Sequence, residues 1–148
     1  MRRALRRVLL GIGWLLLPGL SACGGPEGEI RKTLSASERS LFDQGQRLST
    51  PCWSCHDLYG EQNKVGPYLA GLYGRKAGTA DFPSFSEAMK SSGVVWNERS
   101  LRSFLLDTSG FIPGTTMVAS GPRGAADVSA LVFYLKHVTS VGSKKDGS

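Results

Sequence analysis

Cys52-Trp53-Ser54-Cys55-His56 concentrates the chemistry of this chain. The spacing is C-x-x-C-H, the attachment signature for c-type haem. Each thiol adds across a vinyl group of the porphyrin, giving two thioether bonds. Two intervening residues let one turn of backbone present both sulfurs to the same ring edge. His56 then falls beneath the ring, where its imidazole ligates iron. Other readings of the stretch compete less well. A redox-active C-x-x-C needs no following His and usually sits near a βαβ pattern, which is not evident here. A zinc site needs a fourth ligand at metal spacing, and the other histidine, His137, is far along the chain. A disulfide across two residues leaves His56 unexplained.

The N-terminus reads as an export signal over residues 1–22. Arg2, Arg3, Arg6 and Arg7 form a positive region. Val8 to Leu20 is apolar but interrupted by Gly11, Gly13, Pro18 and Gly19, too short for a comfortable membrane span. It closes on Leu20-Ser21-Ala22-Cys23, which resembles the bacterial lipobox, with Cys23 lipidated as the first mature residue. The alternative is an ordinary signal cut near Ala22, leaving Cys23 a spare thiol. Lipidation is favoured because an unpaired exported Cys otherwise needs its own explanation. The three cysteines then divide into one anchor and two thioethers, and no disulfide is expected although the exported compartment would permit one.

The formal charge of +6 shrinks on processing. Losing residues 1–22 removes four Arg and no acid, leaving 14 Lys+Arg against 12 Asp+Glu, a net of +2. Two haem propionates bring that near zero. Nucleic acid is therefore excluded as a partner on charge.

The elements that must position the motif follow from pattern. Residues 23–34, with Gly24, Gly25, Pro26 and Gly28, read as a flexible tether. One domain spans 35–138, and 139–148 reads as a disordered tail. Ser35 or Ser37 caps a helix running to about Leu48, with Leu34, Leu41 and Leu48 spaced by seven on one face. Gly66-Pro67 breaks regular structure after the motif. Asn97 caps Glu98 to Asp107, with Leu101, Phe104 and Leu105 on one face. Residues 109–125 are rich in Gly and Pro and read as a loop. Ala126 to Val138 is helical, with Val128, Leu131, Val132 and Leu135 apolar at helical spacing. No sheet-forming pattern appears, so the domain is mostly α. Its core is thin, and a buried haem would supply much of the missing apolar volume.

Taken together, the stretches Gly66-Pro67-Tyr68-Leu69, Gly71-Leu72-Tyr73-Gly74-Arg75-Lys76, Gly93-Val94-Val95-Trp96, Phe111 to Met117 and Leu131 to Lys136 fall in a familiar order. Over about 41–137 the chain resembles class I c-type cytochromes, of the mitochondrial cytochrome c type and its bacterial relatives. The resemblance implies an all-α fold, helices wrapped around one haem c held through Cys52 and Cys55. It implies iron ligated by His56 and Met117. Met117 lies in a Pro/Gly loop rather than on an apolar helix stripe, which agrees; Met89 fits a core gap-filler or a surface residue. A thioether ligand favours ferrous iron, and two held axial positions leave no open site for a substrate. Pro67 should offer its carbonyl to the free imidazole N–H of His56. Arg75, Trp96 and Thr115 resemble propionate partners; the alternatives are a loop charge for Arg75 and plain core for Trp96. Leu131 and Tyr134 should pack the last helix against the first and against the haem edge. His137 reads as a helix C-terminal residue rather than a ligand.

The chain also departs from the mitochondrial type. Phe85 and Phe104 stand where that type has tyrosines, and Ala119 replaces a Phe that covers the haem edge. Pro51, Ser109 and Thr116 replace lysines that dock acidic oxidases, while Arg123 keeps one basic position. Gly45 lies one residue closer to Cys52 than usual.

The functional expectation is an exported, periplasmic, monomeric one-electron carrier, lipid-anchored through Cys23, passing electrons between membrane-associated redox proteins, with no catalytic residue and no enzymatic activity. One rival is a fixed cytochrome subunit of a dehydrogenase or oxidase. Another is a ligand-binding or peroxidatic haem protein in which Met117 detaches.

Overall fold

The computed structural model describes residues 25–119 and 121–141. The export signal, Cys23 and residues 142–148 of the expected tail lie outside the described residues. Among the described residues six α-helices follow in order: α1 Pro26–Thr33, α2 Ala36–Leu48, α3 Glu87–Ser91, α4 Glu98–Leu106, α5 Thr108–Phe111 and α6 Ala125–Val141, with a 3₁₀ turn at Thr50–Ser54. Among the described residues the only β pairing is an isolated antiparallel bridge between Lys76 and Val95. The domain is therefore all-α, as expected.

Local chemistry starts the helices. Ser35 caps α2 in a reciprocal box: its hydroxyl accepts from the Glu38 N–H at 3.3 Å, and the Glu38 carboxylate accepts from the Ser35 N–H at 2.8 Å. Asn97 and Ser100 repeat the arrangement at the start of α4, which buries Leu101, Phe104 and Leu105. Helix α6 extends three residues past the expected end, so Thr139–Val141 are helical rather than tail.

The largest helix–helix interface is α2 on α6. The expected leucine stripe is only part of it. Leu41 and Leu48 are half-buried, and the contact centres on Phe42 and Gly45, both buried. The Phe42 ring meets the Tyr134 ring edge-on at 5.0 Å. Gly45 is where the backbones cross: a Cβ there would press on the Ala130 carbonyl and lie 2.6 Å from Tyr134 Cβ. Only glycine allows that approach.

Two loop expectations are corrected. The 109–125 stretch begins inside α5, because the Asp107 side chain accepts from the Gly110 N–H at 2.8 Å and closes one helical turn. The flexible tether over 23–34 is, from Pro26 to Thr33, the helix α1. Eight residues make a marginal helix in water, so tertiary contacts must hold it. Arg31 Nε donates to Asp43 Oδ1 at 2.8 Å, and Arg31 Nη2 donates to Gln46. The Glu27 carboxylate accepts from the hydroxyls of Tyr59 and Tyr134 and from the Gln46 amide. Ile30 packs on the core.

Candidate metal centre

The C-x-x-C-H stretch is wound tightly enough to aim its sulfurs together. The 3₁₀ turn Thr50–Ser54 carries Cys52, and the N–H groups of Cys55 and His56 both donate to the Cys52 carbonyl, at 3.2 and 2.9 Å. Lys64 straps the turn from outside, its ammonium donating to the carbonyls of Trp53 (2.8 Å) and His56 (3.2 Å). Asp57 ties the exit, accepting from the N–H groups of Tyr59, Gly60 and Gln62. Sequence reasoning missed both residues; nothing in their types separates them from ordinary surface charges.

His56 is fixed by the segment that follows. Its Nδ1–H donates to the Pro67 carbonyl at 2.7 Å, which leaves Nε2 as the nitrogen with a free lone pair. Gly66 is the cradle. A Cβ there would sit 2.5 Å from His56 Cε1 and 2.9 Å from Nδ1, so a side chain would displace the ring. Burial holds the imidazole below its ordinary range, Lys64 adds to this, and the Pro67 hydrogen bond opposes it. Burial therefore favours the neutral ring, the form in which imidazole binds metal. Burial pushes the Cys52 thiol up. Cys52 and Cys55 are not joined to one another.

Both cysteines and His56 line one cavity of about 780 Å³, and Met117 lines it from the loop after α5. The Met117 N–H approaches Thr115 Oγ1 at 3.4 Å, and Thr115 is itself turned by donation from its N–H to the Ile112 carbonyl at 3.0 Å. Met89, buried on α3, also reaches the wall but belongs to the core cluster, as a gap-filler would. Leu131 faces the cavity, whereas Tyr134 does not line it and points to α1 and α2. His137 also lies away from it, its Nδ1–H donating to the Phe133 carbonyl at 2.8 Å, one turn inside α6.

Whether the residues fit a haem is decided by the polar end of this otherwise apolar cavity. Arg75 and Trp96 are brought together there by the bridge between their segments: the Trp96 N–H donates to the Arg75 carbonyl at 3.0 Å. Arg75 is no exposed loop charge. Its guanidinium donates to the carbonyls of Ala70 and Tyr68, each at 2.9 Å, and lies over the Tyr68 ring. Burial lowers its pKa, and among the described residues no carboxylate pairs with it. Trp96 is buried against Phe104 at 5.1 Å, and among the described residues its indole N–H has no acceptor. A half-buried cation and an indole donor on one wall suit the two carboxylates of a porphyrin. The residues fit the group.

The mouth adds something that sequence reasoning missed. Val65 and Val118 line the cavity yet are 79 % and 99 % exposed, and exposed Pro51 and Ala119 stand on the same rim. Among the described residues the cationic lining residues are Arg47, Arg75 and Lys76, and no carboxylate lines the cavity.

Comparison with known proteins agrees with this geometry. The family model "Cytochrome c" matches residues 42–139. Cytochrome c2 of Blastochloris viridis is 40 % identical over 102 residues, covering 68 % of this chain and 80 % of that protein. Cytochrome c2 iso-2 of Magnetospirillum fulvum is 47 % identical over 85 residues, covering 57 % and 88 %. Among solved structures, cytochrome cH from Methylobacterium extorquens superposes with a TM-score of 0.59 at 40 % identity, covering 64 % of this chain and 95 % of that one.

Proposed function

This chain belongs to the cytochrome c family, and on that premise we propose an exported carrier, lipid-anchored through Cys23, that passes single electrons between membrane-associated redox proteins. One haem c is attached through Cys52 and Cys55, and the protein is an electron carrier rather than an enzyme. When bound, the haem supplies one iron that changes by a single electron.

The chain's own residues do the rest. His56 offers Nε2 to the iron while Pro67 holds its other nitrogen, and Met117 offers its sulfur from the loop wall. Gly66 keeps the imidazole seated. Arg75, Trp96 and Thr115 would hold the propionate end, and Arg75 would offset its charge. Apolar lining excludes water, so little solvent needs to rearrange when the iron changes charge. With His56 and Met117 both given to the iron, no ligand position would remain for a substrate, and electrons would pass at the mouth bordered by Val65 and Val118.

The observation that carries this reading is the convergence of Cys52, Cys55, His56 and Met117 on one apolar cavity. Cell fractionation joined to reduction spectra tests it. The haem protein should sediment with membranes, acyl mass should sit on Cys23, and respiratory donors should reduce the bound haem without any substrate being consumed by the purified protein. Haem protein found only in the cytoplasm would contradict export, and turnover of a substrate by the purified protein would contradict the carrier role.

A further inference from the structure

Helix α1 precedes the stretch that the family model matches and is docked on it. Its contacts are distributed along its length. Glu27 in the first turn takes hydrogen bonds from Tyr59 and Tyr134, whose partners lie 32 and 107 residues away in sequence. Arg31 in the last turn holds Asp43 and Gln46 and lies over the Phe42 ring at 5.0 Å. Ile30 fills the space between. A flexible leader would make none of these contacts.

Cys23 lies three residues before Pro26 in sequence, and three residues of fully extended chain reach no more than about 11 Å. A free tether over 23–34 would instead let the domain wander on a coil of roughly 20 Å root-mean-square length. The first turn of α1 borders a surface groove lined also by Arg47, Thr50 and Trp53. Arg47 lines the haem cavity as well, so the groove and the haem mouth share an edge. Arg47 is exposed, and Trp53 is half-buried with its indole N–H donating to Ser49 Oγ at 3.2 Å. The Glu27 carboxylate in the same groove is taken up by Tyr59, Tyr134 and Gln46, which leaves a basic side chain beside an aromatic one, a pairing that suits a lipid headgroup layer.

We propose that α1 is a docked strut that holds the haem domain against the lipid surface in which Cys23 is anchored, with the Arg47–Trp53 groove facing the headgroups. The inference rests on the reading of Cys23 as lipidated. The strut presents the haem mouth close to the bilayer, so the partner it fits is a membrane-embedded redox protein whose electron port lies near the headgroup plane.

The test uses the full-length holoprotein in phosphatidylethanolamine–phosphatidylglycerol vesicles carrying a headgroup fluorophore, whose quenching by the haem reports their separation. Two variants are compared. One inserts about ten Gly/Ser residues between Gly25 and Pro26, which keeps every α1 contact and adds a coil of roughly 17 Å. The other is Glu27→Ala with Arg31→Ala, which undocks the helix, its visible spectrum confirming an intact haem site. The strut predicts strong quenching in the parent and weaker quenching in both variants. Vesicle-bound protein with equal quenching in all three overturns the strut and leaves lipidation standing. An N-terminal peptide without acyl mass, with no vesicle binding, overturns the inference at its premise.

Discussion

His56 donates its Nδ1–H to the Pro67 carbonyl at 2.7 Å, while Gly66, the residue before that proline, lies flat under the same ring. One dipeptide therefore orients the imidazole, selects its ligating nitrogen and leaves room for it. The steric half of this arrangement is directly testable. Gly66→Ala should push the ring off its bearing, lower holoprotein yield and destabilise the fold by about 1–3 kcal/mol, the usual cost of overpacking. Thermal unfolding followed at the Soret band measures it; an unchanged melting temperature would show that the ring shifts without cost.

The crossing of α2 and α6 makes a second steric prediction. Gly45→Ala must separate the helices against the Ala130 carbonyl and Tyr134 Cβ, both of which are rigidly placed. A loss of about 2–4 kcal/mol is expected from urea melts, beyond a routine surface change. A variant as stable as the parent would mean that the interface yields.

Alkaline stability should reflect the Tyr59–Glu27–Tyr134 cluster. Burial, and then the Glu27 hydrogen bond, push the Tyr134 hydroxyl up to about 12, and the same causes in the same order push Tyr59 up further. The neutral phenols are favoured in the folded state. Their contribution is complete below about pH 10, where unfolded tyrosine titrates, and is lost as pH rises through the folded value. Melting temperature should fall over that window. Tyr134→Phe should flatten the fall and cost about 1 kcal/mol at neutral pH. An equally steep fall in the variant would assign it elsewhere.

Electron exchange should depend weakly on salt. Val65, Val118, Pro51 and Ala119 are the uncharged residues of the mouth, Arg47 and Lys76 are the only exposed cations that line the cavity among the described residues, and steering scales with charges near the contact. Stopped-flow rates with source-organism membranes should change by less than about threefold between low and physiological ionic strength, where steered pairs change by tenfold or more. Val118→Asp should slow the reaction by disturbing an apolar contact. A steep fall of rate with salt in the parent would contradict a docking face with so few charges.

The parts of this account that were legible in the sequence are local ones. The C-x-x-C-H turn, the Ser35 and Asn97 caps and the apolar face of α4 depend on residues within a few positions of one another. Met117 was identified from its place among several family stretches, not from its own surroundings. What escaped depends on distant partners. Pro26 and the neighbouring glycines read as a linker, and α1 exists because Tyr59, Tyr134, Asp43 and Gln46 fold onto it. Val65 and Val118 lie 53 positions apart, and only the folded chain brings both to the lining of one cavity. Helix α3 is five residues long, too short for periodicity to reveal, although Ser86 accepts from the Met89 N–H as its cap.

The central claim is that His56 and Met117 would both ligate the haem iron. It is tested most directly by optical spectra of the purified protein, parent and Met117→Ala, with Met89→Leu as the control on the same cavity wall. The oxidised parent should show the weak near-infrared charge-transfer band of a sulfur–iron bond, and its reduced form should ignore carbon monoxide. Met89→Leu should match it, and Met117→Ala should lose the band and bind carbon monoxide. A parent without the band whose reduced spectrum shifts with carbon monoxide would contradict the carrier mechanism and leave a ligand-binding haem in its place.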